Sequence, residues 1–328
     1  MAIADAASSR ETTSRDIAAL QGRLQRSGRA GIVTQGHDGF PSYYDIRLNL
    51  KHRPLVSIII PTAGKTIRLG RREVDLITNC VSQISDHSSY KNLEIIVIDN
   101  GDLSPDQVSV LKQYGCKLKS YSGDINIPRK LNLGAANAAG EILLLMNDDI
   151  EIVNPSWIER MLEHFEKPHV GVVGAKLLYP SRQIQHAGVV HNFANPDHVR
   201  RHYPADDLGY FFSTSCARNY MAVTGACMMT RSDIFRQVGG YWEDLAVSYN
   251  DVDYCMKVRQ LGFSCVYAPK AELIHMESQS REAFLDSSES HRYYEKWPQE
   301  SVSDFFYNER MLAVVPPSFE PSVNPRVL

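Results

Sequence analysis

The chain of 328 residues lacks any apolar run near the length of about 18 residues that a membrane-spanning helix requires. Its N-terminus also lacks the apolar core of a secretory signal peptide. The six cysteines show no Cys-x-x-Cys spacing, which favours reduced thiols over a zinc site or a disulfide framework. A formal net charge of −3 provides no basic field for nucleic acid. We therefore expect a cytoplasmic globular protein without a nucleic-acid partner.

Two common nucleotide-binding motifs are missing as well. No G-x-G-x-x-G sequence follows a predicted strand, so the fingerprint of a dinucleotide-binding fold is absent. The segment Ala63-Gly64-Lys65-Thr66 looks like the end of a P-loop, but Ile59 occupies the position of that motif's first glycine. We therefore reject both interpretations.

Three short apolar runs are present in the first half, and each ends abruptly in polar residues. They are too short for helices and rich in Ile, Val and Leu, so we predict buried strands. The runs and the residues that follow them are 56–60 with Pro61-Thr62, 95–98 with Asp99-Asn100, and 142–146 with Asn147-Asp148-Asp149. Apolar residues at helical spacing lie between the runs, at 74–84 and 131–138. This alternation predicts right-handed crossovers and a parallel sheet.

Asp148 and Asp149 directly follow the third predicted strand. The carboxyl edge of a parallel sheet is where open α/β folds bind ligands. Adjacent acids repel one another unless a cation lies beside them, and hard oxygen ligands suit Mg²⁺ or Mn²⁺ together with a phosphate-bearing substrate. The alternative is an exposed turn with two solvated acids.

The second half of the sequence favours strands with few helices between them. The predicted strands cover 170–173, 184–191, 223–229, 263–267 and 271–275. The predicted helices are one capped by Asn154-Pro155, one capped by Ser232, and one from Asn250 to Gly262. The predicted domains are an N-terminal arm over 1–50 with a short helix at 17–24, one catalytic domain over 51–312, and a proline-rich extended tail over 313–328.

Two further segments carry side chains suited to catalysis. Asn250-Asp251-Val252-Asp253 begins a predicted helix, where Asn250 would cap the helix and the acids would suit its positive end. The alternative for this segment is a carboxylate that acts as a general base. His275 ends a predicted strand and precedes a polar stretch that ends in Arg281, which makes a ligand more plausible than for an isolated histidine. His186 and His191 are interpreted as structural.

The order of these motifs is similar to that of family 2 glycosyltransferases with the GT-A fold. The resemblance covers roughly residues 54–310, and its six motifs occur in the family's order. The motifs are Pro61-Thr62, Asp99-Asn100, Asn147-Asp148-Asp149, Thr224-Gly225-Ala226, Asn250-Asp251-Val252-Asp253 and Leu273-Ile274-His275. Further matches at Ile125-Asn126 with Lys130-Leu131-Asn132, at Gln185-His186-Ala187-Gly188 and at 277–281 resemble the bacterial branch that builds surface polysaccharides with rhamnosyl, galactosyl or related sugars.

The resemblance implies an α/β fold of the GT-A type, with a Rossmann-like, mostly parallel central sheet flanked by helices and a mixed acceptor-side half. It also implies roles for individual residues. Asp149 and His275 would bind Mn²⁺ or Mg²⁺, and Asp251 would be the catalytic base. The nucleotide-binding residues would be Pro61, Thr62, Asp99, Asn126, Lys130 and Asp148, and the residues near the donor sugar or acceptor would be Gly225, Ala226 and Asn250. Asn147 and Asn250 stand where the family usually has acids, which weakens a direct metal role for Asn147.

The resemblance further implies an inverting transferase that moves a sugar from a nucleoside-diphosphate sugar to a hydroxyl of a glycan or lipid-linked glycan. A carboxylate at Asp99 can accept the imide N–H of uracil or thymine, which favours a UDP-sugar first and a dTDP-sugar next. Any membrane or assembly-complex contact would be peripheral, with the helix at 17–24 as the candidate. The alternatives are a sugar-phosphate nucleotidyltransferase and a non-catalytic nucleotide-sugar-binding module. We expect sugar and acceptor specificity to reside in loops at 176–222 and 276–310.

Overall fold

The computed structural model describes residues 2–37, 39–40, 42–69, 72–192, 195–276, 287–298, 304–307 and 316–318. The chain divides into two compact units, Met1–Arg53 and Pro54–Leu328. Among the residues described, no helix is both long enough and apolar enough to cross a membrane. The matched segment at 277–281 and most of the predicted specificity loop at 276–310 lie outside the described residues.

The first unit consists of a helix and a hairpin. Helix α1 spans Ala2–Arg26, and strands β1 (Gly31–Gln35) and β2 (Tyr44–Leu48) pair antiparallel. The helix is much longer than the predicted segment at 17–24, because the Ala-rich residues before it continue the same helix. Gln21 joins helix and hairpin, since its side chain donates to Gly31 O at 2.8 Å and accepts from Val33 N at 3.0 Å.

The second unit is built on one ten-stranded mixed sheet. Its strands lie in the order β14-β16-β10-β15-β8-β3-β6-β7, with β11 paired to β10 and β9 paired to β16. The sheet strands are β3 (Val56–Pro61), β6 (Leu93–Asp99), β7 (Lys117–Ser120), β8 (Ile142–Met146), β9 (Ile150–Ile152), β10 (Val170–Leu178), β11 (Ile184–His186), β14 (Arg218–Tyr220), β15 (Cys227–Arg231) and β16 (Ser264–His275). Two small hairpins lie off this sheet, β4 (Thr66–Leu69) with β5 (Arg72–Asp75) and β12 (Val189–Asn192) with β13 (Asn195–His198).

The helices of the second unit connect or flank these strands. They are α2 (Leu76–His87), α3 (Pro105–Gln113), α4 (Ile127–Ala136), α5 (Trp157–Leu162), α6 (Ser232–Gln237), α7 (Asn250–Gln260) and α8 (Ser287–Lys296). Short 3₁₀ turns occupy Glu163–Glu166 and Tyr210–Phe212.

The N-terminal half of the sheet is parallel. Strand β3 pairs parallel with both β6 and β8, and β6 pairs parallel with β7. The chain runs β3-α2-β6-α3-β7-α4-β8, which confirms the predicted alternation of strands and helices. All five residues of β8 are buried, as expected for a strand covered on both faces. Val74 is the exception to the helical prediction, because it lies in β5 before α2 begins.

The C-terminal half of the sheet is mixed. Strand β15 pairs antiparallel with β8 and β10, whereas β10 pairs parallel with β16. The two strands predicted at 263–267 and 271–275 are one strand, β16, and its register against β10 shifts between Ala175 and Lys176. A bulge of this kind lets a strand pass a proline, here Pro269, without ending.

Two other strand predictions were wrong in their bounds. The run at 184–191 is interrupted at Gly188, where φ is 109° and a Cβ would lie 2.3 Å from the Tyr220 ring. The run at 223–229 begins pairing only at Cys227, and the preceding Thr224-Gly225-Ala226 segment forms a turn. That turn carries one of the motifs on which the resemblance rests.

The predicted helix caps were also wrong in detail. Tyr249, not Asn250, is the N-cap of α7, and it has left-handed backbone angles with φ 61°. Asn250 is the first helical residue, and its amide donates back to Leu245 O at 3.2 Å and Val247 O at 2.9 Å. Helix α6 begins at Ser232 with Arg231 at its N-cap position. Ser156 occupies the N-cap position of α5 without a side-chain cap hydrogen bond, and Asn154 Oδ1 accepts from Ser156 N at 3.0 Å, just before the helix.

Part of the predicted extended tail is packed against the domain. Arg200 donates from its backbone N–H to Pro317 O and from its Nη1 to Ser318 O, both at 2.8 Å. Ser318 is buried. The tail residues 319–328 lie outside the described part of the chain.

Candidate active site

Side chains that follow two adjacent parallel strands meet a lysine of α4 at the carboxyl edge of the sheet. Thr62 follows β3, and its hydroxyl donates to Asp148 Oδ2 at 2.6 Å, just after β8. Lys130 of α4 donates from Nζ to Thr62 O at 2.7 Å. All three side chains are buried, so the contacts hold a fixed arrangement of one cation and one carboxylate.

A cleft of about 130 Å³ opens at this edge. Five of the six residues predicted to bind a nucleotide line it, namely Pro61, Thr62, Asn126, Lys130 and Asp148. The sixth, Asp99, lies at the end of β6, where Oδ1 accepts a short hydrogen bond from Gly101 N. Its neighbour Asn100 lines the cleft. The structure therefore brings five of the six predicted nucleotide-binding residues together at the cleft, whereas the Asp99 side chain contacts its own loop.

The N-terminus of α4 borders the same cleft. Asn126 caps this helix, since its Oδ1 accepts from Arg129 N at 2.8 Å, and its Nδ2 donates to Glu243 O at 2.7 Å. Asn126 and Ile127 both line the cleft. The positive end of a helix together with the ammonium of Lys130 suits an anionic ligand such as a diphosphate.

Asp149 and His275 come together because of strand pairing. His275 ends β16 and lies opposite Ile150 of β9, the residue after Asp149. The backbone N–H of Met276 also donates to Asp149 O at 3.0 Å. These contacts place His275 Nε2 3.1 Å from Asp149 Oδ1, with both side chains buried.

This pair fits a divalent cation. Two neighbouring ligands of an octahedral ion, each at about 2.1 Å, lie about 3 Å apart, which matches the observed spacing of 3.1 Å. His275 Nδ1 lies 2.6 Å from Gln185 Oε1, so a proton on Nδ1 leaves the Nε2 lone pair facing Asp149. In the described part of the chain no cluster of three or more His, Cys, Asp or Glu side chains is arranged around one point. The phosphate oxygens of a bound ligand and water are suitable further ligands for such an ion.

Cys80 lies next to the segment that carries Asp148 and Asp149. Its Sγ is 3.7 Å from Asn147 O. Complete burial, and then the charges of Asp148 and Asp149, raise the pKa of the Cys80 thiol well above its usual value.

Asp251, at the start of α7, is connected to the residues that follow β8 through a turn. Its Oδ2 accepts from Gly225 N and its Oδ1 from Val252 N, each at 2.8 Å. A Cβ at position 225 would lie 3.1 Å from Asp251 Cβ, so the glycine allows this close approach. The next residue, Ala226, accepts from Asn147 N at 3.1 Å. The Thr224-Gly225-Ala226 turn thus connects the acids after β8 with the carboxylate at the start of α7.

Asp253 differs from Asp251 although both are in the first turn of α7. Asp253 is completely buried, and its Oδ1 accepts from Lys296 Nζ at 2.6 Å and Trp297 Nε1 at 3.0 Å. Asp251 is partly exposed. Of the two carboxylates, Asp251 is therefore the accessible one, and Asp253 holds α7 to the segment that contains α8.

Two residues of the site region were not found from the sequence. Gln185 contacts His275, and Glu289 of α8 accepts from Val247 N at 3.0 Å and Ser248 N at 2.7 Å in the loop before α7. Gln185 stood in a matched motif without a role. No sequence pattern indicated a role for Glu289, because its partners are backbone groups distant in sequence.

The fold and this site together define the class of the protein, a glycosyltransferase with the GT-A fold. A solved structure of GalNAc-T7 with UDP, GalNAc and Mn²⁺ superposes with a TM-score of 0.55 at 13% identity, covering 71% of this chain and 45% of that one. The family model for glycosyl transferase family 2 matches residues 57–239, and the chain belongs to that family.

Two sequence relatives extend the comparison. An uncharacterized protein, y4gI, of Sinorhizobium fredii is 37% identical over 271 residues, which cover 80% of this chain and 29% of that protein. The O-antigen biosynthesis protein RfbC of Myxococcus xanthus is 32% identical over 276 residues, covering 83% of this chain and 21% of that protein. The chain therefore spans less than a third of the length of either relative.

Proposed function

We propose that this chain is an inverting, divalent-metal-dependent glycosyltransferase that transfers a sugar from a UDP-sugar to a hydroxyl of a growing cell-surface polysaccharide. The observation that carries the proposal is the Asp149–His275 pair. Its side-chain atoms lie 3.1 Å apart, and the pair is at the same sheet edge as the cleft lined by Asp148 and Lys130. A nucleotide cleft, a metal-type ligand pair and a separate, partly exposed carboxylate at Asp251 are the components that sugar transfer requires.

The donor side of the reaction uses the cleft. The N-terminus of α4 and the ammonium of Lys130 would attract the diphosphate. Asp148, held by the Thr62 hydroxyl at 2.6 Å, would orient the ribose. Asp149 and His275 would hold Mn²⁺ or Mg²⁺, which when bound offsets the negative charge that develops on the leaving diphosphate.

The acceptor side of the reaction uses Asp251. Two backbone N–H groups, from Gly225 and Val252, hold its carboxylate in one orientation at 2.8 Å each. Each carboxylate oxygen has a second lone pair, so Asp251 can still accept a proton from the acceptor hydroxyl. The hydroxyl oxygen forms the new bond to the anomeric carbon as the bond to the diphosphate breaks. Attack from the face opposite the leaving group inverts the configuration without a covalent enzyme intermediate.

The substrate assignment rests on two observations. Asp99, at the end of β6 next to the cleft-lining Asn100, provides the acceptor that an imide N–H of uracil or thymine needs, which favours UDP and then dTDP. The relative named for O-antigen biosynthesis supports a polysaccharide acceptor. Peripheral contact with a membrane or an assembly complex stays a prediction.

A panel of nucleotide sugars tests the proposal. Purified protein is incubated with each sugar nucleotide and Mn²⁺, and the released nucleotide product is identified. We expect free UDP from a UDP-sugar, and no release after chelation of the metal. Release of pyrophosphate would identify a nucleotidyltransferase instead. Binding without any release, in the presence of polysaccharide or lipid-linked acceptors, would indicate a non-catalytic module.

A further inference from the structure

Gln185 is a buried residue of β11 whose side chain contacts His275. Its Oε1 lies 2.6 Å from His275 Nδ1, which is a short hydrogen bond between two buried groups. We propose that Gln185 is a positioning residue that fixes the tautomer and ring orientation of His275 so that Nε2 can bind the metal. The proposal rests on the function proposed above.

The tautomer follows from the partners of the ring. Oε1 of an amide can only accept, so His275 must carry its proton on Nδ1 to form this bond. The Nε2 atom is then an acceptor, and Asn147 Nδ2, which can only donate, lies 3.1 Å from it. Both contacts fit the same tautomer, whose Nε2 lone pair faces Asp149 Oδ1 at 3.1 Å. A lone pair and a carboxylate oxygen at that distance repel one another unless a cation lies beside them, so this tautomer belongs to the metal-bound state.

The position of Gln185 follows from the pairing of its strand. Strand β11 pairs with β10, and β10 pairs parallel with β16, so β11 and β16 lie on opposite sides of β10. A glutamine side chain is long enough to reach across to the end of β16, where an asparagine would be one methylene shorter. In metal sites a partner of this kind on the second ring nitrogen typically contributes about 10- to 100-fold in metal affinity.

The first test reads the tautomer in protein saturated with UDP and Mg²⁺, a diamagnetic ion, because without a cation the Asp149 carboxylate favours a proton on Nε2. In protein labelled with ¹⁵N-histidine, the two ring nitrogens of neutral His275 are identified by comparison with a His275→Gln variant. We expect wild type to carry the proton on Nδ1. We expect Gln185→Leu to shift His275 toward the Nε2–H form, which is favoured in a free histidine side chain. A proton on Nε2 in wild type would overturn the proposal even if the variant failed to fold.

The second test measures metal affinity rather than turnover. Mn²⁺ is titrated by calorimetry into protein saturated with UDP, or with dTDP if UDP does not bind. We expect Gln185→Leu to weaken Mn²⁺ binding by about 10- to 100-fold, and Gln185→Glu, which keeps an acceptor oxygen, to stay close to wild type. Gln183→Leu is the matched control, because Gln183 is an exposed glutamine beside the same strand.

The outcomes separate this proposal from the function on which it depends. Weaker Mn²⁺ binding in His275→Ala but not in Gln185→Leu would overturn the role of Gln185 and leave the proposed function standing. Unchanged Mn²⁺ binding in His275→Ala would overturn the metal site itself. A loss in Gln185→Leu that Gln185→Glu does not restore would mean that Gln185 acts through packing, which also contradicts the proposal.

Discussion

Asp251 and Asp253 are two residues apart on α7, yet their surroundings predict opposite consequences of mutation. Asp251→Asn keeps the size of the side chain and one acceptor oxygen for the backbone N–H groups. We expect it to melt within a few degrees of wild type and to bind nucleotide, while transfer falls by about 10²- to 10⁴-fold because the general base is lost. The measurements are the melting temperature, calorimetric nucleotide binding and initial transfer rates.

Asp253→Asn is the matched comparison. Asp253 is completely buried between Lys296 and Trp297, so removing its charge leaves a cation without its counterion. Because Lys296 is exposed and stays solvated, the loss is that of charge-assisted hydrogen bonds. The free energy of unfolding should fall by about 1.5–3 kcal/mol, while the folded fraction keeps near-normal transfer. Transfer at the wild-type rate by Asp251→Asn, combined with an inactive but stable Asp253→Asn, would reverse the assignment of the base.

Asp149 and His275 should together determine metal dependence. Each alanine variant would lack one of the two proposed protein ligands, so neither should show Mn²⁺-stimulated transfer. His169→Ala, a change at an exposed histidine outside the site, should behave as wild type. Transfer rates are compared with Mn²⁺ and with EDTA. Full activity of Asp149→Ala or His275→Ala in EDTA would show that the pair is not a metal site.

Asp99 should determine which nucleotide base the protein prefers. Asp99 can accept the imide N–H of uracil, and cytosine has no such donor. UDP should therefore bind more tightly than CDP, and Asp99→Asn should reduce the difference. Equal calorimetric affinities of wild type for UDP and CDP would show that Asp99 does not select the base, in line with its contact to Gly101 N.

Helix α8 supports the loop that precedes α7. Glu289, buried on this helix, accepts from Val247 N and Ser248 N and so holds the loop that leads to Tyr249 and Asp251. The loop must be held firmly, because Tyr249 has left-handed backbone angles that a non-glycine residue adopts only under constraint. Loss of these charge-assisted hydrogen bonds should cost about 1.5–3 kcal/mol in unfolding free energy.

Glu289→Ala should therefore lower both stability and transfer, with nucleotide affinity largely kept because the cleft lies elsewhere. Glu295→Ala is the matched control, since Glu295 is an exposed glutamate on the same helix. Denaturant unfolding and transfer rates are measured for both variants. If Glu289→Ala behaves like Glu295→Ala, α8 does not support the loop before α7.

Strand pairing explains why some of the strands predicted from the sequence were right and others had wrong bounds. The three apolar runs of the first half were correctly predicted as strands because each is buried along its whole length, a pattern that composition reveals. Strand β16 was split in two because Pro269 is a poor strand residue, and only its place at a register shift against β10 makes it acceptable. The Thr224-Gly225-Ala226 turn was read as strand because its residues are individually compatible with one.

The pH dependence of stability is a property of the whole folded chain, and His186 contributes to it. Burial, and then the neighbouring His198 and His275, lower the pKa of His186 well below 6.5. The folded protein therefore keeps His186 neutral, whereas the unfolded chain binds a proton there below about pH 6.5. Stability from this group is present above that pH and is lost as pH falls, by up to about 1.4 kcal/mol per pH unit.

Urea unfolding of the wild type at about pH 7 and about pH 5 measures this loss. His186→Gln should be less stable than wild type near neutral pH and should show a smaller drop between the two values. His169→Gln, which changes an exposed histidine, should keep the wild-type drop. An equal drop in His186→Gln and wild type would mean that other groups account for the acid sensitivity.

The sequence alone determined the fold class and the general location of the site. Apolar runs that end in Pro61-Thr62, Asp99-Asn100 and Asn147-Asp148-Asp149 specify buried strands with polar ends, because burial and strand length are local properties of a chain. The order of the motifs then identified the family, which the family match over 57–239 confirms. The roles of the individual residues stay predictions.

Only the tertiary structure decided which side chains meet. Asp149 and His275 come together through the register of β9 against β16, Gln185 reaches His275 across β10, and the Thr224-Gly225-Ala226 turn joins Asp251 to the acids. The structure also separates Asp251 from the buried Asp253. These contacts depend on strand order, bulges and turns that bring distant segments into register, and no local pattern of residues encodes them.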